Sequence, residues 1–301
     1  MSDVVSDVVG AAIARDRRRL VPDLVLLTKP RVIVMVLAAT LVGYYAALTG
    51  APDYLRLVHL LLGTLLAAAG TFALNQYVER EVDARMDRTR RRPLPDGRLQ
   101  PLEALLFAIA LTALGLASLA ALVGTFAAAV TAATAILYIG AYTPLKQRSA
   151  LCALVGAVPG ALPPVSGWVA ARGDLEAGAW VLFGILFLWQ LPHTLSIARL
   201  YRDDYARAGV RVLPVVDPHG GSTERHIVGG CLGLLAVSLL PTLIGLTGAV
   251  YFAGVLVLGL AFLAFGLAQA LAPSMASARR VLFASLLYLP VLFGLLALDK
   301  T

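Results

Sequence analysis

Long apolar stretches, separated by short polar and charged patches, fill this chain from Val32 to Leu298. A helix needs about 20 apolar residues to cross roughly 30 Å of hydrocarbon. Nine stretches reach or approach that length: 32–49, 57–78, 102–123, 125–142, 151–170, 179–200, 227–246, 249–271 and 281–298. Two of the divisions need an argument, because 102–142 and 227–271 run on with almost no acidic residue. At about 1.5 Å per residue each would be longer than 60 Å, twice the bilayer, so each must fold back. Gly124 and Leu246-Thr247-Gly248 are the natural turns. The pattern predicts an all-α integral membrane protein with one nine-helix domain over residues 32–298.

Composition agrees. Of 301 residues 59% are hydrophobic and 14% charged, against about 25% charged in an ordinary soluble domain. Cys152 and Cys231 both lie inside apolar runs, which excludes a disulfide framework or a zinc ribbon. The net charge of +7 would suit a nucleic-acid partner only if the cations formed a patch. They cluster between apolar runs instead, the pattern of a chain oriented in a lipid bilayer. With the N-terminus cytoplasmic, 22 Lys and Arg fall inside and only Arg56, Arg172 and Lys300 fall outside. That asymmetry favours nine spans with the C-terminus outside, in the cell (inner) membrane.

Residues 1–31, the cytoplasmic N-terminal segment, lack the apolar core and cleavage site of a signal peptide. Val4, Val5, Val8, Val9, Ala12 and Ile13 recur at helical spacing, which fits an interfacial helix as well as a disordered arm.

Charge inside a bilayer is costly, so chemistry is sought where polar residues gather at span ends. Asn75, Glu79, Asp83 and Asp87, at the end of the second run, are spaced by four. On a continuing helix they form one stripe of oxygens, rising about 6 Å per step. Like charges at that spacing repel, so cations are expected beside them. Oxygen-only donors suit a hard ion such as Mg²⁺, which binds through a few carboxylates together with substrate phosphates. A solvated, charged helix end is the plainer alternative, but Asn75 lies within the apolar run, where an amide demands partners. The basic cluster Arg88, Arg90, Arg91 and Arg92 follows. It is either an orientation signal or a phosphate anchor. Loops 79–101 and 199–226 are thus the candidate catalytic loops. The second carries Asp203 and Asp204, which diverge by about 100° on a helix, so one of the two is expected to be a ligand. Lys146, in Tyr142-Thr143-Pro144-Leu145-Lys146, is a further phosphate contact or an ordinary inside charge.

Four segments carry a resemblance: Leu27-Thr28-Lys29-Pro30-Arg31; the stretch from Asn75 to Pro95; Tyr142 to Lys146 with Gly160 to Trp168; and Trp189-Gln190-Leu191-Pro192-His193 running on through Asp204 to Val216. In this order they resemble the membrane-embedded prenyltransferase superfamily and, within it, the heme O synthases. The resemblance implies transfer of the farnesyl group of farnesyl diphosphate to a vinyl group of heme b, with addition of water, giving heme O and diphosphate. Heme b is then a substrate and Mg²⁺ the cofactor. By position Asn75, Glu79 and Asp83 resemble the first Mg²⁺-diphosphate motif, and Asp204 the acid of the second. Two departures stand out. The superfamily usually has Asp at the position of Glu79, and a second acid four residues from Asp204, where this chain has Leu200 and Ala208.

Charge then assigns roles. Arg88, Arg92 and Lys146 would stabilise the departing diphosphate. The allylic cation left behind needs a dry pocket with aromatic faces, for which Tyr77, Tyr138 and Tyr142 are candidates, although tyrosine at a span end also serves as an interface belt. His193, after Pro192 within a span, is the acceptor-side candidate, because imidazole is a common ligand of heme iron. A heme-modifying enzyme or oxidase assembly factor would receive the product. A quinone or chlorophyll-type acceptor is the rival within the superfamily. A transporter is the rival outside it, but it would place polar residues at the midplane of several spans rather than at the cytoplasmic ends.

Overall fold

A computed structural model of the chain describes residues 20–218 and 221–301. Among them are nine helical segments long and apolar enough to cross a membrane: Pro30–Ala47, Tyr54–Asp83, Pro101–Leu122, Thr125–Leu145, Cys152–Arg172, Ala177–Leu200, Gly221–Leu243, Ala249–Leu271 and Met275–Leu298. They are numbered here as the first to ninth spans. The only β pairing among the described residues is a single bridge between Thr247 and Lys300. The stretch containing Val4 to Ile13, the cations from Arg15 to Arg19, and His219 lie outside the described residues.

Both fold-backs fall where the apolar runs are too long. Gly124 separates the third and fourth spans at φ 149°, a backbone setting that glycine alone adopts freely. The seventh and eighth are parted by Gly245, at φ 72°, and the Thr247–Lys300 bridge. Proline breaks other spans internally. The fifth is interrupted at Leu162, between Cys152–Ala161 and Pro163–Arg172, and the seventh at Leu239, just before Pro241. In each case proline lacks the N–H that would continue the ladder.

The second and third spans pack backbone to backbone. A side chain on Gly115 would run into the backbone of Ala67 and Gly63, and one on Gly70 into that of Thr112 and Ala108. Small residues give this close approach in lipid, where apolar side chains gain nothing by leaving hydrocarbon. A larger core of buried side chains, including Tyr44, Trp168, Ile185, Tyr251 and Tyr288, fills the space among the spans and takes in Leu60 and Leu119 of the second and third.

The second span has 30 residues, about 45 Å of helix, and outruns the hydrocarbon by about 15 Å. Asn75 lies about 32 Å from the Tyr54 end, where the helix leaves the membrane. The donors that follow it are therefore carried out on the same rigid rod.

Candidate active site

The end of the second span meets three other elements: residues 20–29, the C-terminal end of the fourth span, and the loop that follows the second span. Residues 20–27 are helical and lead through Thr28 to Lys29. Lys29 is the one non-glycine residue with positive φ among those described, at 54°. It precedes Pro30, which disfavours the right-handed helical region for it. The Gln76 side chain holds this junction by donating to the carbonyls of Leu26 and Leu27 at 3.3 and 2.8 Å. So aimed, Lys29 Nζ donates to Asn75 Oδ1 at 2.8 Å.

The fourth span contributes through a change of pitch. Residues Leu137–Tyr142 form a π-helical turn, and such turns recur at functional sites because they re-aim the side chains that follow. Thr143 donates to the carbonyl of Tyr138 at 2.8 Å and accepts from Asn75 Nδ2 at 3.1 Å. The fully buried Asn75 amide therefore has both ends satisfied. One turn on, Lys146 Nζ lies 2.7 Å from Glu79 Oε1. Arg92, folded back from the loop, lies 2.6 Å from Asp83 Oδ2. Thr89 steadies the fold-back by donating to the carbonyl of Asp83 at 2.8 Å. Asn75, Glu79 and Asp83 thus each have a cation of their own, and for the two carboxylates these offset their mutual repulsion.

Burial and the neighbouring Arg92 and Lys146 charges push the Lys29 ammonium down to about 7. Burial also works against Lys146, but the Tyr142 phenol and the Glu79 carboxylate hold it well above the ordinary lysine range. Aromatic faces wall the cluster. Tyr138 stands 5.2 Å from Tyr142 and edge-on to Phe72 at 5.7 Å. Lys146 lies over the Tyr142 ring and Lys29 over Phe72, at 4.4 and 5.5 Å.

The second loop docks on the first. The Arg88 N–H donates to Asp204 Oδ2 at 3.3 Å, and the Arg211 N–H to the carbonyl of Lys146 at 2.7 Å. Arg207 pairs with Asp204 and also lies 2.6 Å from Asp87.

Several expectations change here. Asp87 does not extend the stripe. The helix ends at Asp83, and Asp87 turns to Arg207 and Arg90. The Arg88 guanidinium lies over the rings of Tyr201 and Tyr205 and donates to the Tyr205 hydroxyl rather than pairing with Asp83. Tyr77, about 200° around the helix from Asn75, packs with Leu27, Leu94 and Leu99 and carries Arg80 on its face. His193 also stands apart, stacked on Trp189 and bonded to Ser285 of the ninth span. Lys29, Thr143 and Phe72 went unnoticed as site residues in the sequence. Lys29 lies between Thr28 and Pro30, where spacing alone gives it no role beyond one more charge before the first span.

Among the described residues, no three His, Cys, Asp or Glu side chains converge as a metal site made by protein alone. Asn75, Glu79 and Asp83 line up along one helix face instead. That donor chemistry fits a Mg²⁺ that keeps waters and is shared with substrate phosphates, since this ion seldom occupies an all-protein cage.

Among the described residues, nine helices long and apolar enough to cross a membrane, with paired acids and cations gathered at one end over aromatic faces, define a polytopic membrane protein with a charged cluster at that end. The family model of the UbiA prenyltransferase family matches residues 36–288, and the chain belongs to that family. It is similar to the protoheme IX farnesyltransferase of Solibacter usitatus, 48% identical over 92% of this chain and 98% of that one. The protein of the same name from Salinibacter ruber is 44% identical over the same shares. Among solved structures, the fold resembles a digeranylgeranylglyceryl phosphate synthase, with a TM-score of 0.78 at 16% identity, covering 93% of this chain and 98% of that one. It also resembles a UbiA homologue from Archaeoglobus fulgidus bound to GPP and Mg²⁺, with a TM-score of 0.63 at 18% identity, covering 91% and 99%.

Proposed function

We propose that this chain joins the farnesyl group of farnesyl diphosphate to a vinyl group of protoheme IX, at the cytoplasmic face of the cell membrane, and that water adds in the same conversion. The C–O bond to diphosphate breaks, and a C–C bond forms to the outer vinyl carbon. The cation left beside the ring takes the oxygen of a water and releases a proton. The products are heme O and diphosphate. One observation carries the reaction type: oxygen donors and cations from four separate elements meet where the second span leaves the membrane. The choice of acceptor is drawn from the likeness to protoheme IX farnesyltransferases.

Asn75, Glu79 and Asp83, with Asp204 from the second loop, are the residues that would hold Mg²⁺. Bound there with the diphosphate, the ion supplies Lewis-acid neutralisation of the leaving anion. Lys29, Lys146 and Arg92 each keep donors beyond those spent on Asn75, Glu79 and Asp83. A diphosphate arriving beside them meets preorganised positive charge. Tyr142 and Phe72 present the ring faces that already attract the two ammoniums, and with the neighbouring Tyr138 ring the same quadrupole shields an allylic cation. Arg88 acts one step removed, tying the Asp204 loop to the Asp83 loop. His193 contacts the porphyrin from the spans six and nine side.

The test is incubation of the purified protein in nanodiscs with heme b, farnesyl diphosphate and Mg²⁺, followed by mass analysis of the porphyrin. The expected product carries farnesyl and the elements of water, and excess chelator stops its formation. Unmodified heme alongside a prenylated quinone in the same vessel would reassign the acceptor.

A further inference from the structure

His193 is held on two sides. Its Nδ1 lies 2.8 Å from Ser285 Oγ, and its ring stacks on Trp189 with centroids 4.7 Å apart and planes 19° apart. Trp189 is tied to the same partner, since its Nε1–H donates to the backbone carbonyl of Ser285 at 2.8 Å. Ser285 is fully buried.

The proton count fixes the tautomer. Ser285 Oγ also lies 2.6 Å from the carbonyl oxygen of Leu282. A carbonyl only accepts, so the single serine hydroxyl proton belongs to that contact; otherwise two lone-pair oxygens would face each other at hydrogen-bond distance. Ser285 Oγ must then accept from His193, which places the imidazole proton on Nδ1 and leaves the lone pair on Nε2. Nε2 takes no hydrogen bond, yet it is not among the sealed-in atoms that lack partners, as Gln76 Oε1 and Tyr251 Oη are. A ring with a bonded Nδ1–H, a locked plane and an open Nε2 is the arrangement in which histidine binds a metal.

We propose that Ser285 and Trp189 are positioning residues that present His193 Nε2 as the seat for the iron of the porphyrin substrate, at the seam of the sixth and ninth spans. This rests on the heme reading of the acceptor. Here the substrate is oriented through its iron, while the diphosphate cluster at the end of the second span holds the other partner. The acceptor half of the site would thus be built by spans six and nine, and the donor half by spans two and four.

The experiment uses the full-length protein in nanodiscs and compares His193→Ala, Ser285→Ala, Ser285→Thr and Trp189→Phe. The readouts are the Soret spectrum of bound heme, heme affinity and farnesyl diphosphate affinity. His193→Ala should move the Soret band and weaken heme binding. Ser285→Ala should weaken heme binding by about ten-fold or more, as loss of an outer hydrogen bond typically does, and should leave farnesyl diphosphate affinity unchanged. Ser285→Thr, which keeps the hydroxyl, should restore wild-type heme affinity. Trp189→Phe keeps the stacking and should lose less. An unchanged spectrum in His193→Ala would overturn the iron contact itself. A shifted spectrum in His193→Ala with wild-type behaviour in Ser285→Ala would overturn the positioning role alone. Parallel loss of both ligands in Ser285→Ala, unrescued by threonine, would mark a folding defect and refute the specific role too.

Discussion

The two acidic regions at the charged end of the bundle are built differently. In the first, each donor has its own cation, Asn75 with Lys29, Glu79 with Lys146 and Asp83 with Arg92, and Asn75 and Asp83 are buried while Glu79 is partly so. Asp83 is only 2% exposed. In the second, one arginine serves two acids. Arg207 is 52% exposed and reaches both Asp204, as shielded as Glu79 at 12%, and Asp87, which is 62% exposed. An ion pair in water contributes little, whereas a buried one is costly to break because the surviving charge is stranded. The first region should therefore dominate both activity and local stability.

The largest effect is expected from Asp83→Asn, which removes a donor and leaves the partly buried Arg92 uncompensated. Heme O formation in membranes should fall at least a hundred-fold with insertion intact, and near-normal turnover would end the distinction between the regions. Lys146→Met comes next. It strands Glu79 and deletes a proposed diphosphate contact, so kcat should drop by about 10²-fold, the usual cost of one preorganised donor. Adding Glu79→Gln to it should lose less than the two single losses combined, since both belong to one pair. Simple additivity in that cycle would argue that the two residues act apart.

Asp204→Asn should cost about ten-fold, or ~1.4 kcal/mol of transition-state stabilisation, and should be partly recovered at raised Mg²⁺. A loss as large as that of Asp83→Asn would make the two regions equals. Asp87→Asn should be the mildest, within about two-fold of wild type, because its pairs lie in solvent. A strong defect there would return Asp87 to the working stripe.

The fold was legible because hydrocarbon imposes one rule on every span. The apolar runs had to be helices of about one bilayer length, and Gly124 turns the chain where the run length demanded it. Asn75, Glu79 and Asp83 were legible for a similar reason: four-residue spacing means one face, provided the helix continues. It continues to Asp83 and no further, so the same rule failed for Asp87. Spacing also could not place Arg88, whose guanidinium settles on Tyr201 and Tyr205 more than a hundred residues away in the chain. Nor could it single out Lys29, whose role depends on a left-handed backbone turn held by Gln76.

What the chain determined by itself is periodic and local: nine apolar helices, a polar exit from the second, and the residue types able to hold a hard cation and a diphosphate. Which cation answers which acid was decided by the tertiary structure. So was the grouping of Phe72 with Tyr138, and of His193 with Ser285. Hydrophobic run length acts through contact with the bilayer and needs no partner from elsewhere in the sequence. Charge pairing and ring contacts act over a few ångströms between segments far apart in the chain, and exist only once helix packing has brought those segments together.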